Sequence, residues 1–97
     1  MQYMKAQLLV KTKEVQDDGA IIEIVIWGLP QPVPPCTHDY KYRLYFGKDG
    51  DCRVRYDNER GKGDHKHINQ YEYDYQFSTV EQLLIDFEND IKQWSQS

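Results

Sequence analysis

The stretch Tyr71-Glu72-Tyr73-Asp74-Tyr75-Gln76-Phe77-Ser78-Thr79-Val80-Glu81-Gln82-Leu83-Leu84-Ile85-Asp86-Phe87 changes its period in the middle, and that change decides the fold. From Tyr71 to Phe77 every second residue is aromatic. A period of two predicts a half-buried strand with Tyr71, Tyr73, Tyr75 and Phe77 inward and Glu72, Asp74 and Gln76 outward. Ser78-Thr79-Val80-Glu81 then fits a capping box, with Ser78 accepting from the first turn and Glu81 reaching back. Beyond it, Val80, Leu83, Leu84, Phe87, Ile91 and Trp94 recur at helical spacing. A strand hands over to one C-terminal amphipathic helix.

Working back from this junction, the chain reads as strands separated by hairpin turns. Met4 to Val15 alternates loosely, with Ala6, Leu8 and Val10 on one side, which predicts a half-buried strand. Asp17-Asp18-Gly19 is a turn. Ala20 to Trp27 is the best central strand, with Ile22, Ile24 and Ile26 on one face and Val25 and Trp27 on the other. Two apolar faces call for two covers. The helix is one; a second subunit is a candidate for the other, which predicts a homodimer. Leu29 to Pro35 holds all four prolines and reads as a rigid connector. His38 to Phe46 alternates again and turns through Gly47-Lys48-Asp49-Gly50 into a strand carrying Cys52, Val54 and Tyr56. Asn58 to Gln70 is polar and glycine-bearing, and reads as a loop. The expected order is thus β-β-β-β-loop-β-α: an α+β domain over residues 1–97, an antiparallel meander of about five strands with the helix packed on one face.

Bulk properties narrow the function. A chain of 97 residues makes one domain. Formal charge is −4, so general nucleic-acid binding through net charge is excluded. The charge is uneven, however. Residues 38–67 hold eight Lys or Arg against six Asp or Glu, while the rest of the chain holds four against ten. If the two central strands pair in the right register, Lys41, Arg43, Arg53 and Arg55 share a face, and four adjacent cations invite an anionic partner. Cys36 and Cys52 form no CxxC, which points to free thiols and a reducing compartment, hence the cytoplasm. No apolar run is long enough for a membrane span.

The chemistry concentrates in Tyr56-Asp57-Asn58-Glu59-Arg60-Gly61-Lys62-Gly63-Asp64-His65-Lys66-His67. Gly61 and Gly63 let the backbone bend beside Arg60 and Lys62, which suits an anion. If the chain is extended there, His65 and His67 point the same way. Two chemistries fit. Metal-independent RNA cleavage needs a base for the ribose 2′-hydroxyl, an acid for the leaving oxygen and cations around phosphorus. His65 and His67 suit the first two roles, Arg60 and Lys62 hold phosphate, and Asp57 or Asp64 orients an imidazole. The other is metal binding by the two histidines and a carboxylate. No third ligand spacing stands out, so the reading assigns no metal and no cofactor. The bland alternative is a polar turn whose histidines bond neighbouring carbonyls. His38 reads as structural.

The chain resembles the TumE-like proteins of bacterial toxin–antitoxin modules. The resemblance rests on Met4-Lys5-Ala6, Lys13-Glu14-Val15, Asp18-Gly19-Ala20, Val25-Ile26-Trp27-Gly28-Leu29-Pro30, Val33-Pro34 and His38-Asp39-Tyr40-Lys41-Tyr42-Arg43-Leu44. It continues through the whole of residues 56–67 and closes with Tyr75-Gln76-Phe77, Val80-Glu81-Gln82-Leu83-Leu84 and Asp86-Phe87. What it implies is a growth-inhibiting toxin paired with a helix-turn-helix antitoxin. It does not supply a reaction. Three classes of function follow: a ribonuclease toxin, a non-catalytic module binding RNA, DNA or an acidic protein, and an obligate partner subunit.

Overall fold

The structure, a computed structural model, describes residues 5–96. Strands β1 (Gln7–Val15), β2 (Ile21–Gly28), β3 (Tyr40–Lys48), β4 (Asp51–Glu59), β5 (Gly63–Ile68) and β6 (Tyr71–Asp74) precede one helix, α1 (Val80–Gln96). The strands form a six-stranded antiparallel meander in sequence order. The α+β architecture is the one the sequence predicts, with one strand more.

The extra strand is β5, which lies where the sequence reads as loop. Its residues alternate Asp64, Lys66 and Ile68 against His65 and His67. Hydrophobic periodicity is silent because nearly all of them are polar. Tight turns build the two hairpins on either side of β4. Asp49 and Gly50 both take positive φ (56° and 79°), the two-residue turn that matches strand twist. Gly61, at φ 85°, follows Arg60 in a turn closed by the Lys62 N–H donating to the Glu59 carbonyl at 3.1 Å.

The helix covers one face. Leu83 and Phe87 are buried there with Ile26, Tyr42, Leu44, Phe46, Val54 and Tyr56. Each such side chain contributes roughly 1.5–3 kcal/mol. The Tyr56 hydroxyl donates to the Asp90 carboxylate, which Lys66 also reaches at 3.1 Å, so one acidic residue ties helix to sheet. The helix begins one residue later than the capping box predicts. Thr79, not Ser78, is the cap: its Oγ1 accepts from the Gln82 N–H at 3.0 Å.

Two expectations about burial change. Tyr71 and Tyr73 do lie on the helix side, but β6 is an edge strand beyond the cover of α1, and they remain 68 % and 48 % exposed. Strand β1 is the opposite edge and is exposed along most of its length, so it is not the half-buried strand expected. A bulge at Leu9 interrupts its pairing between Leu8 and Val10. Residues Met1 to Met4, included in that reading, lie outside the described residues.

No helix among the described residues is long and apolar enough to cross a membrane. The sheet face away from α1 is covered by no element among the described residues. Val25 and Trp27 lie on it, Trp27 being 37 % exposed.

Candidate functional site

Register builds the site on this open face. Arg43 pairs with Asp57, Asp57 with His65 and Arg55 with His67, while His67 pairs with Glu72. Alternation then sends the side chains of Lys41, Arg43, Arg55, Asp57, His65, His67 and Glu72 to one side. The two imidazoles predicted to share a face do so, with ring centroids 5.3 Å apart and nearly perpendicular.

At the centre is His65, only 3 % exposed. Its Nδ1 lies 3.1 Å from the Gly63 carbonyl, and since a carbonyl only accepts, Nδ1 carries the hydrogen. Its Nε2 lies 2.6 Å from Asp57 Oδ1, within ion-pair distance but off the line that a hydrogen bond needs. Arg55 Nε approaches the other oxygen of Asp57 at 3.3 Å. Glu72 Oε1 stands 3.9 Å from the Nε2 atoms of both histidines and 3.3 Å from Lys62 Nζ. Burial, and then the guanidinium of Arg55, push the His67 imidazole below the usual histidine range. The hydrogen bond from Lys62 lowers the Glu72 carboxyl.

Buried side-chain polar atoms are normally satisfied. Among the described residues five are not, and four of these are Arg55 Nε, Asp57 Oδ1, His65 Nε2 and His67 Nε2. Most of the unsatisfied buried side-chain polarity among the described residues, all but Arg53 Nε near the helix end, is therefore collected at one place. Beside it, a cavity of about 280 Å³ is lined by Trp27, Lys41, Arg43, Asp57 and Glu59.

Other predicted site residues lie elsewhere. Asp64 sits on the helix side of β5, opposite to the histidines. It accepts from Tyr42 Oη at 2.6 Å, pairs with His38 Nε2 at 2.8 Å and meets Cys36 Sγ at 3.5 Å. His38 Nδ1 accepts from the Tyr40 N–H, so Nε2 is the donor to Asp64. Its ring stacks on Phe77 at 3.9 Å. This second cluster is hydrogen-bonded throughout and anchors the proline connector to the sheet, as the structural reading of His38 expects. Burial, with Asp64 beside it, raises the Cys36 thiol, which keeps it unreactive. Both cysteines are free.

The four-cation face is realised in part. The register shift between Phe46 and Gly47 skips Arg53, which turns to the end of the helix, its guanidinium 5.3 Å from the Trp94 ring. Lys41, Arg43 and Arg55 remain on the open face, Arg43 lying 5.3 Å from the Tyr45 ring. Lys41 Nζ donates to the Asn58 carbonyl. Arg60 and Lys62 are at the hairpin tip rather than over the histidines, and Lys62 is held by Glu72.

Sequence reasoning missed Glu72. Its alternation with Tyr71 and Tyr73 gave its face, but its neighbours depend on the β5–β6 register, which sequence does not carry. Asn58 is the reverse case, a residue of the candidate segment whose role is structural. Its amide accepts from the Tyr42 N–H at 3.0 Å and donates to the Tyr40 carbonyl at 2.7 Å, extending the sheet where β3 and β4 part.

The family model described as Toxin TumE matches residues 5–95, nearly the whole chain. The chain belongs to this family. It is thus a toxin by family, and membership in Toxin TumE suggests an antitoxin partner. No curated protein and no solved structure matches it.

Proposed function

We propose that this toxin inhibits growth by cleaving RNA on the open face of its sheet, with the Asp57, His65 and His67 cluster as the reaction centre. The supporting observation is the juxtaposition of that cluster with Arg55, and with the cavity lined by Lys41 and Arg43, on a face that no element among the described residues covers. In RNA cleavage the 2′-oxygen loses its proton and attacks the adjacent phosphorus, and the 5′-oxygen leaves with a proton. Negative charge builds on the phosphoryl oxygens between these events. A guanidinium fixed at the centre stabilises such charge more than mobile surface lysines do. The cavity, close to the lower bound of about 300 Å³ for small-molecule sites, suits one nucleotide rather than a long strand.

A metal-independent mechanism would ask His65 and His67 to exchange protons with the substrate. His67 retains some access, with 20 % of its side chain exposed, whereas His65 retains 4 % and has Nδ1 committed to a carbonyl. The roles of base and acid therefore fall unequally on the pair, and in this reading His67 is the imidazole that meets substrate. Asp64, on the other face, takes no part. An antitoxin, expected to be a helix-turn-helix protein, would neutralise the toxin by covering this face. A homodimer through Val25 and Trp27 would compete for the same surface.

Induction in cells followed by mapping of new RNA ends tests the reading. The wild type should generate discrete new ends, and Arg55→Ala and His67→Ala should each abolish both ends and toxicity while leaving the circular dichroism spectrum unchanged. Full toxicity in a folded His67→Ala chain would remove the reaction centre from the mechanism. Growth arrest without new RNA ends would remove RNA as the substrate.

A further inference from the structure

The unsatisfied atoms of the open face pose a chemical question of their own. With a neutral ring, the Nε2 of His65 presents a lone pair to the Asp57 oxygen 2.6 Å away, because Nδ1 already carries the hydrogen that bonds Gly63. Two electron-rich atoms pressed together need a cation between them, either a proton or a metal ion. A proton would be shared along the line joining the atoms, and the contact is off that line. His67 Nε2 adds a third buried polar atom that is shielded from water and has no hydrogen-bond partner among the described residues. Asp57, His65 and His67 bring one donor atom each to within 4.8 Å of one another.

We propose that Asp57, His65 and His67 bind a divalent transition-metal ion, with Glu72 as a fourth, more loosely held ligand. The proposal concerns the same centre as the RNA-cleavage reading but rests on the donor set alone. Two imidazoles and one or two carboxylates are donors that suit zinc and its first-row neighbours rather than magnesium or calcium. Ligand atoms at about 2.0–2.1 Å from zinc stand about 3.3 Å from each other, so loading widens the 2.6 Å separation of His65 Nε2 and Asp57 Oδ1 by about 0.7 Å.

The surrounding contacts have the arrangement that metal ligands use. A ligating histidine commonly donates its other ring N–H to a backbone carbonyl, as His65 does to Gly63. The other oxygen of Asp57 lies 3.3 Å from Arg55 Nε, a charged neighbour for the carboxylate. Glu72 stands on the solvent side of the centre, its side chain 44 % exposed. An ion there would lie beside the same cations that face the cavity, so its Lewis acidity and their charge would act on one bound anion.

The second cluster provides an internal control. Cys36, His38 and Asp64 also come within 4.8 Å of one another, but their polar atoms are satisfied by Tyr40, Tyr42 and Asn58 as well as by each other. The structure assigns the ion to the unsatisfied cluster and not to this one.

The test is titration of metal-stripped full-length chain with Zn²⁺ alone, followed by calorimetry and by the imidazole resonances of its three histidines. The expected result is one ion per chain at micromolar affinity or tighter, with the resonances of His65 and His67 shifting and those of His38 unmoved. His67→Gln should weaken binding on the order of 100-fold and Glu72→Gln on the order of 10-fold, whereas His38→Asn should leave it unchanged. Both ligand substitutions lie towards the open side, so folding survives them even if His65 variants fail to fold. Absence of Zn²⁺ binding, binding insensitive to His67→Gln, or binding lost in a folded His38→Asn chain would overturn the assignment. Tight binding without RNA cleavage removes the ribonuclease reading alone. Cleavage by a chain that binds no Zn²⁺ removes the metal alone.

Discussion

Asn58 is the residue on which the opening between β3 and β4 depends. Where the two strands diverge, backbone groups of Tyr40 and Tyr42 lose their ladder partners, and the Asn58 amide replaces both. It is 2 % exposed, so water has little access to take over. Truncation would leave one buried N–H and one buried C=O unpaired, each costing about 1–3 kcal/mol. Asn58→Ala should therefore lower stability by about 2–6 kcal/mol, read as a fall in the urea midpoint. Asn58→Asp should be nearly as damaging, because a carboxylate cannot donate to the Tyr40 carbonyl. A midpoint within experimental error of wild type for both would show that the strands part without its help.

At the scale of elements, the β4–β5 hairpin determines the site. It puts Asp57 against His65 and Arg55 against His67, and its register is set by the turn at residues 60–62 and by Gly63. Gly63 takes φ 80°, a conformation that costs a residue with a Cβ about 1–2 kcal/mol. A Cβ there would also meet Pro35 Cγ at 3.2 Å. Its carbonyl is the acceptor that orients His65. Gly63→Ala should lower the thermal midpoint by several degrees, at about 4–8 °C per kcal/mol for a chain of this size. It should also disturb the His65 imidazole resonance. Gly50→Ala, at a comparable φ but remote from the centre, should cost stability without moving that resonance. If both variants move it equally, the hairpin does not position the imidazole.

At the scale of the molecule, one helix covers one face, and three tyrosine hydroxyls stitch the buried side together. Tyr42 donates to Asp64, Tyr56 to Asp90 and Tyr75 to Asp86. Burial first, and the acceptor carboxylate second, raise all three phenols well above the ordinary value of 10.0. A phenol that keeps its proton in the fold but loses it when unfolded makes the native state the better proton binder. Stability is then full below about pH 10 and falls as pH rises beyond it. Each tyrosine contributes at most about 1.4 kcal/mol per pH unit to that slope. Urea midpoints measured from pH 9 to pH 11.5 should fall in this window, and Tyr75→Phe should flatten the fall. A flat profile to pH 11.5 would mean that the hydroxyls ionise equally readily in both states.

The period switch near Phe77, the Ile-rich β2 and the Asp49-Gly50 turn all express local constraints, and a local constraint is written in neighbouring residues. They were enough for the α+β class, the meander and the C-terminal helix. The pairing of His65 with His67 on one side was legible for the same reason, since alternation needs only the knowledge that the chain is extended. What the sequence lacked was register, which is a relation between distant residues. Register brought Asp57 and Glu72 to the histidines and sent Asp64 to the opposite face, and the β4 bulge turned Arg53 towards the helix end. Strand β5 was illegible because burial on the open face is of polar groups, which leave no hydrophobic period. Only the folded sheet brought these polar groups together and excluded water from them, and that arrangement is the ground on which an ion and a phosphodiester are proposed to bind there.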